Sequence, residues 1–352
     1  MEVFKGMDKY NHEQVVFYRE PSIGYLGIIA IHDTTLGPAL GGTRFWNYKS
    51  EDEALTDVLR LSLGMTYKAA VAGLNLGGGK SVIIGDPNTP RREMIFRAHG
   101  RAVDTLNGRY ITAEDVGTSV EDMDYVQMET RHVVGIAGRS GDPSPVTAYG
   151  TYRGMKACAL EKYDDDSLKG KTVAVQGVGH VGYYLCENLA AEGAKLVVTD
   201  ITQDKVDRCV KDFGAQAVKP DAIYGVDVDI FAPCALGAII NSDTIPQLKC
   251  DIIAGAANNQ LATYEDGKAV QERGILYAPD YVINAGGLIN VYSELADWST
   301  DRSKRKAGEI YQTLIEVFEL AREEKLTTGE AADRIAERRI ERVGLLHRSR
   351  IS

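Results

Sequence analysis

The sequence predicts an α/β protein of two domains with a cleft between them, the first built on a mixed sheet and the second on successive βα units. Three observations carry this. Short apolar stretches alternate with helix-length amphipathic ones along nearly the whole chain. A glycine turn with G-x-G-x-x-G spacing stands between a strand pattern and a helix pattern within 171–200. A loop rich in Gly, Ser and Pro, 138–150, marks a shift in composition and is the expected hinge region. The length of 352 residues also suits two domains.

In chain order, YLGIIAIHDT (25–34) is β-branched and bounded by Gly and Thr, hence a strand. PALGGTRFW (38–46) reads as a second strand, broken by Gly41 and Gly42. Ser50 and Glu53 have capping-box spacing and open a helix whose apolar face is Leu55, Val58, Leu59 and Leu63. The stretch 64–87 is expected to return to strand, interrupted by Gly77, Gly78 and Gly79. A helix is expected over 90–107, a strand running into a loop over 108–117, and a helix over 147–163. The run 171–200 reads as strand, glycine turn, helix, strand, with further βα units at 228–235, 250–260 and 274–287. One closing helix is expected over 301–324. A second, opened by Thr327 and Glu330, should run to about 343. Domain one then covers 1–140 and regains the C-terminal helix, 328–352, while domain two covers 141–327.

Composition narrows the function. Acidic residues outnumber basic ones 50 to 40, a net charge of -10 that disfavours nucleic acid and anionic membrane as partners. The polar N-terminus lacks a signal-peptide profile, and no apolar run approaches the ~20 residues of a membrane span. The five cysteines, Cys158, Cys186, Cys209, Cys234 and Cys250, are widely spaced and odd in number. They fit thiols in a reducing cytoplasm better than disulfides or a metal site, and no H-x-x-x-H pattern offers a metal ligand pair.

The glycine turn is Gly177-Val178-Gly179-His180-Val181-Gly182, after the apolar strand TVAVQ, and Asp200 ends the next strand. The first glycine permits the tight turn, the second lets backbone approach a pyrophosphate, and the third allows close helix–strand packing. The helix N-terminus supplies free N–H groups and positive dipole to phosphates. A carboxylate at Asp200 would accept from a ribose 2′-hydroxyl and repel a 2′-phosphate, which favours NAD over NADP. This is the pattern of a Rossmann NAD-binding domain. His180 is expected to be a surface residue beside the turn.

A second constellation is Lys68 and Lys80, each in an apolar, small-residue setting, with the glycine run just before Lys80. A lone lysine of this kind snorkels more often than it functions. Two, with glycines that let a ligand lie against backbone, point to chemistry. A lysine acting as general base near neutrality needs its pKa brought from ~10.4 to about 7–8. Burial and a second cation both push that way, and the second lysine can stay charged to hold a carboxylate. Asp115, where a strand ends in AEDVG (113–117), is placed to move protons or orient a substrate ammonium. Its plain alternative is a turn cap.

Eight segments together, GGTRFW (41–46), MTYKAAVAGLNLGGGKSVIIGDP (65–87), GRYITAEDVG (108–117), PSPVTAYG (143–150), AVQGVGHVG (174–182), APCALGA (232–238), IAGAANNQL (253–261) and YAPDYVINAGG (277–287), resemble the Glu/Leu/Phe/Val amino-acid dehydrogenase family. The similarity runs in order over nearly the whole chain. It implies reversible NAD-dependent oxidative deamination of an L-amino acid to a 2-oxo acid and ammonium. Lys80 matches the family's general acid/base, Lys68 its substrate-carboxylate lysine and Asp115 its essential aspartate. Gly41, Gly42 and Met65 would border the substrate, and Leu40, Ala113 and Val291 its side chain. Cofactor contacts match the glycine turn, Asp200, Cys234, Ala235, Ala256 and Asn258, with Thr147 near the nicotinamide carboxamide. No extra lysine lies in the motifs expected to line the pocket, as a side-chain carboxylate would require. Ala113 and Val291 favour a branched aliphatic side chain. The chain departs from the branched-chain pattern in a shorter loop at 134–142, with a charge pair at Arg139 and Asp142, and in Tyr292, whose run Asn290-Val291-Tyr292 is also seen in tryptophan-type members. An aromatic L-amino acid is therefore the alternative substrate, and a non-catalytic NAD-binding protein the alternative of another class. The resemblance further implies a homo-oligomer, a dimer building to an octamer.

Overall fold

The computed structural model describes residues 2–136, 138 and 141–348. Arg139 lies outside the described residues, so its charge pair with Asp142 does too. The chain divides into two compact units. The first runs to Gly141 and takes in Glu294–Ala296 and the chain from Ala336 on. The second is Asp142–Ser293 with Asp297–Ile335.

The first unit holds α1 (Val3–Tyr10), β1 (Gln14–Glu20), β2 (Tyr25–Asp33), β3 (Ala39–Trp46), α2 (Glu51–Val71), β4 (Gly77–Ile84), α3 (Arg92–Asp104), β5 (Tyr110–Glu114) and α4 (Val120–Gln127). Its sheet has the order β1-β2-β4-β3-β5. It is mixed: β1 and β4 flank β2 antiparallel, while β3 lies parallel to both β4 and β5. On one face, Ala54, Leu55, Val58 and Leu59 of α2 pack against Ile28, Ala30 and Val82. On the other, Ile95 and Phe96 of α3 pack with Phe45 and Ile83. Successive strand residues point to opposite faces, so Lys80 and Ser81 serve different layers.

Three readings of this unit are corrected. The helix opened at Ser50 does not give way to strand at 64 but continues to Val71. Met65 to Val71 is apolar enough to pass for a strand, yet Thr66, Ala69 and Ala70 keep helical spacing and are buried. Leu63 is only half-buried, and Ser62 and Thr66 take the inner face instead. The glycine run lies inside β4 rather than interrupting it. A Cβ on Gly78 would sit 2.1 Å from the Thr66 nitrogen, so glycine is what lets α2 lie directly on this central strand. Gly41 and Gly42 likewise do not break β3, because β5 pairs with both of them. At the start of α2, Ser50 Oγ accepts from Glu53 N–H at 3.1 Å, but the Glu53 carboxylate accepts from Lys49 N–H rather than from Ser50. The helices α1 and α4 and the strand β1 have no counterpart in the sequence reading; α4 carries its own capping box, Ser119 with Asp122.

The second unit begins with α5 (Ser144–Tyr163), β6 (Thr172–Gln176), α6 (His180–Glu192), β7 (Lys195–Thr199) and α7 (Gln203–Phe213). There follow β8 (Gln216–Ala217), β9 (Ile230–Pro233), β10 (Ile252–Ile253), α8 (Tyr264–Glu272), β11 (Leu276–Tyr277), α9 (Asp280–Ile283) and α10 (Gly286–Leu295). The chain closes with α11 (Thr300–Gly308), α12 (Ile310–Glu324) and α13 (Thr328–Arg348). The helix expected over 301–324 is two helices, parted after Gly308, the residue with the poorest helix propensity in that run. Thr327 and Glu330 exchange both bonds of a capping box, and the helix they open reaches Arg348 rather than about 343. All strands of the sheet are parallel, in the order β11-β10-β9-β6-β7-β8. The order reverses between β6 and β9, and ligands of such sheets bind at that switch point, beyond the carboxyl ends of the strands. No helix among the described residues is long and apolar enough to cross a membrane.

Candidate active site

In the first unit the site is built on the α2 face of the sheet. Lys80 stands on β4, 5% exposed, with its Nζ donating to Asp115 Oδ2 at 2.7 Å. Asp115 follows directly on β5 and is held from several sides. Its backbone N–H donates to Thr118 Oγ1 at 2.8 Å, and that hydroxyl also reaches the Thr43 carbonyl. The Arg44 Nε donates to the same Oδ2 at 3.2 Å. A Cβ on Gly42 would lie 2.8 Å from Asp115 Cβ and 2.5 Å from the Glu114 carbonyl oxygen, so the bare backbone of β3 makes room for this carboxylate. Burial pushes the Lys80 amine below its ordinary pKa; Asp115 opposes that shift and Arg44 adds to it. The Asp115 carboxyl is pushed up by burial, but Lys80 and Arg44 outweigh this and hold it below the usual range. The result is a carboxylate paired with an amine that gives up its proton more easily than a surface lysine does.

Around this pair, Leu40, Gly41, Gly42 and Ala113 are buried on adjacent strands, with Leu40 opposite Ile111 and Gly42 opposite Ala113. Met65 and Lys68 lie half-buried on α2, Lys68 in its last turn. Besides the Lys68 expected from the sequence, a cation that favours the neutral Lys80 amine is Arg44. Arg44 belongs to GGTRFW, one of the segments that carry the family resemblance. Its signal was the period of two, which puts it on the same strand face as Gly42. It also donates through Nη1 to Asp57 Oδ2 at 2.8 Å, an oxygen that accepts from Tyr48 OH at 2.6 Å. Beneath the sheet, fully buried His99 is bonded by Thr43 and Tyr25 hydroxyls, and Tyr110 OH donates to the Gly41 carbonyl at 2.6 Å.

In the second unit the glycine turn joins β6 to α6. Gly177 has φ +92°, and a Cβ there would lie 2.5 Å from Ala235 Cβ. A Cβ on Gly182 would lie 2.1 Å from the Gly177 oxygen, which is the close helix–turn packing expected of the third glycine. Over Gly179 an added Cβ would meet nothing, so the turn is open where a phosphate would approach. Asp200 Oδ2 accepts from Val178 N–H at 2.9 Å and Oδ1 from Thr202 N–H at 2.9 Å. The carboxylate is therefore fixed beside the turn. A cavity of about 340 Å³ adjoins, lined by Val178, Gly179, exposed His180, Tyr183, Lys205 and Arg208. Val181 is half-buried in the first turn of α6. Cys234 and exposed Ala235 follow β9, and half-buried Ala256 and exposed Asn258 follow β10. Thr147 is buried on α5, donating to the Pro143 carbonyl at 2.9 Å. Val291 and Tyr292 are half-buried on α10, Tyr292 packed edge-on against Trp298 at 5.1 Å. Asn284, missed in the sequence, donates to Ala256 and Ala257 carbonyls and to Asn258 Oδ1 at 2.7 Å, while its own Oδ1 is buried with no partner. An open glycine turn, a tethered carboxylate and a bare acceptor beside the segment after β10 fit a dinucleotide.

Comparison with known proteins gives concordant matches. Residues 12–132 match the family model "Glu/Leu/Phe/Val dehydrogenase, dimerisation domain". Residues 138–203 and 198–343 match "Glutamate/Leucine/Phenylalanine/Valine dehydrogenase". The chain is 60% identical to a leucine dehydrogenase of Thermoactinomyces intermedius over 97% of its own length and 94% of the relative's. It is 50% identical to a phenylalanine dehydrogenase of Lysinibacillus sphaericus over 94% and 89%. The crystal structure of an L-tryptophan dehydrogenase from Nostoc punctiforme superposes with a TM-score of 0.89 at 47% identity, covering 97% of this chain and 99% of that one.

Proposed function

The chain belongs to the Glu/Leu/Phe/Val dehydrogenase family, and we propose that it catalyses the reversible, NAD-dependent oxidative deamination of branched-chain L-amino acids, leucine with valine and isoleucine, in the cytoplasm. The observation that carries the chemistry is the buried Lys80–Asp115 pair. The substrate class is supported by the higher identity to the leucine enzyme, 60%, than to the phenylalanine enzyme, 50%.

In the proposed mechanism Lys68, charged, holds the substrate carboxylate, Met65 borders the substrate, and Leu40, Ala113 and Val291 receive the side chain. A nicotinamide held by the second unit would supply the acceptor for the hydride of Cα, with the substrate then an iminium. Neutral Lys80 takes a proton from the water that attacks the iminium carbon, giving a carbinolamine. Asp115 relays the proton taken up by Lys80 to the departing nitrogen, Lys80, neutral again, takes the carbinolamine hydroxyl proton, the C–N bond breaks, and ammonia leaves as the 2-oxo acid forms. Lys80 must thus alternate between charged and neutral forms, and burial makes the neutral form accessible. Thr147, the glycine turn, Asp200, the Cys234–Ala235 segment, Ala256 and Asn258 are the proposed cofactor contacts. Asp200 supports NAD over NADP through its fixed negative charge. A homo-oligomer is also inferred, supported by the dimerisation region in the family match and by β1 forming a sheet edge.

Steady-state rates with leucine, valine, isoleucine, phenylalanine and tryptophan, each with NAD and NADP, test the reading. Leucine with NAD should give the highest kcat/KM, and the other aliphatic substrates should follow closely, since one methylene is worth only about 1–3 kcal/mol. A higher kcat/KM for phenylalanine or tryptophan would instead favour the aromatic alternative suggested by Tyr292.

A further inference from the structure

The polar chain behind Lys80 does not end at Asp115. Arg44 on β3 gives its Nε to Asp115 Oδ2 at 3.2 Å and its Nη1 to Asp57 Oδ2 at 2.8 Å. Asp115 Oδ2 is the very oxygen that Lys80 uses, so the two cations share one acceptor. Asp57, on α2, is anchored in turn by Tyr48 OH at 2.6 Å. Arg44, Asp57 and Tyr48 border a cavity of about 680 Å³. We propose that Arg44 and Asp57 are positioning residues for the acid/base lysine: Arg44 divides its charge between Asp57 and Asp115 and so sets how much of the Asp115 carboxylate is left to Lys80. This rests on the proposed role of Lys80.

The charged groups around Lys80 are Asp115 from the end of β5, Arg44 from β3 and Asp57 from α2, which also carries Lys68 in its last turn. From β2, the residue opposite is Ala30. Arg44 favours the neutral amine and Asp57 the charged one. Replacing them must therefore act in opposite directions. Arg44→Met removes a like charge and leaves Asp115 wholly to Lys80, which strengthens the ammonium. Asp57→Asn removes a favourable anion and frees Arg44 to bind Asp115 more fully, which weakens it.

The test is the pH dependence of kcat for NAD-dependent leucine oxidation in the wild type, Arg44→Met, Arg44→Lys and Asp57→Asn, with melting temperatures alongside. In this direction the base must be neutral, so kcat rises as pH passes through the Lys80 pKa. The acidic limb should move up by about one to two units in Arg44→Met and down by a similar amount in Asp57→Asn, as expected for a unit charge several ångströms away at an effective dielectric of about 20. Arg44→Lys should bring the limb back toward the wild type. If Arg44→Met does not fold, the downward shift in Asp57→Asn and the near-normal limb of Arg44→Lys carry the test. Lower melting temperature or lower kcat with an unmoved limb, or shifts of one sign in both variants, would overturn the proposal. Lys80→Ala separates the two readings. An inactive Lys80→Ala with unmoved limbs elsewhere sinks only the positioning role; an active one sinks the role of Lys80 and this inference with it.

Discussion

The Nζ of Lys80 and the Oδ2 of Asp115 meet at 2.7 Å, with side-chain exposures of 7% and 25%. The lysine is the more enclosed partner, so its charge bears more of the cost of leaving water, and its proton is more readily released than that of an exposed lysine. A buried pair of this kind is costly to break on one side, because the remaining charge is left without a counterion.

Lys80→Ala should lower kcat on the order of 10²–10⁴-fold, the usual scale for removing a positioned acid/base group. Fluorescence titration should show NADH binding unchanged, because the glycine turn and Asp200 belong to the other unit. Wild-type kcat in the variant would remove Lys80 from the mechanism.

What was legible in the sequence was local. The turn from Gly177 to Gly182 and Asp200 declare themselves within one βαβ unit, and Lys80 was marked by the glycines just before it. Two things misled. Glycine weakens an isolated strand, so Gly77–Gly79 read as a break; β2 and β3 pair on either side and hold it in the sheet. Alanine-rich chain after Met65 reads as strand because its neighbours are apolar and Gly64 resembles a helix stop, although α2 runs through that glycine to Val71. Arg44 was invisible as a site residue because its partners lie 13 and 71 residues away, and only the packing of α2 on the sheet unites them.

Two histidines of the first unit make its stability sensitive to mild acid. Burial brings His12 down to about 4 and His99 to about 3, from an ordinary 6.5. Between those values and 6.5 the unfolded chain binds protons that the folded chain refuses, so stability falls as pH drops below 6.5. Each histidine adds a slope approaching about 1.4 kcal/mol per pH unit. Asp115, with its depressed value, loses its contribution only below the ordinary carboxylate range. Urea unfolding at pH 7.5, 6 and 5 should show this decline, and His99→Asn should have a shallower slope than the wild type. Equal slopes would mean that His99 takes up its proton in the folded state.

At the cofactor turn, Asp200→Asn should keep an acceptor for Val178 N–H while removing the charge. The kcat/KM for NADP relative to NAD should then rise about tenfold or more, since a fixed anion beside a 2′-phosphate costs more than 1.4 kcal/mol at close range. An unchanged ratio would show that Asp200 only braces the turn, and that cofactor choice lies elsewhere.

Gly42 offers a test of geometry with little change in chemistry. In Gly42→Ala the new methyl falls within 2.8 Å of Asp115 Cβ and 2.5 Å of the Glu114 oxygen, so β5 or the carboxylate must move. Loss of the 2.7 Å contact to Lys80 should lower kcat by at least an order of magnitude, and crowding in a packed strand should destabilise by about 1–3 kcal/mol. Gly64→Ala is the matched control: on α2, a Cβ there meets nothing within 4 Å. Helix propensity alone predicts that it stabilises by up to about 1 kcal/mol with kcat unchanged. Thermal melts and kcat measured on both variants separate the two cases. If Gly42→Ala kept wild-type kcat, Asp115 would not need its present position and the Lys80–Asp115 contact would not be part of the working site.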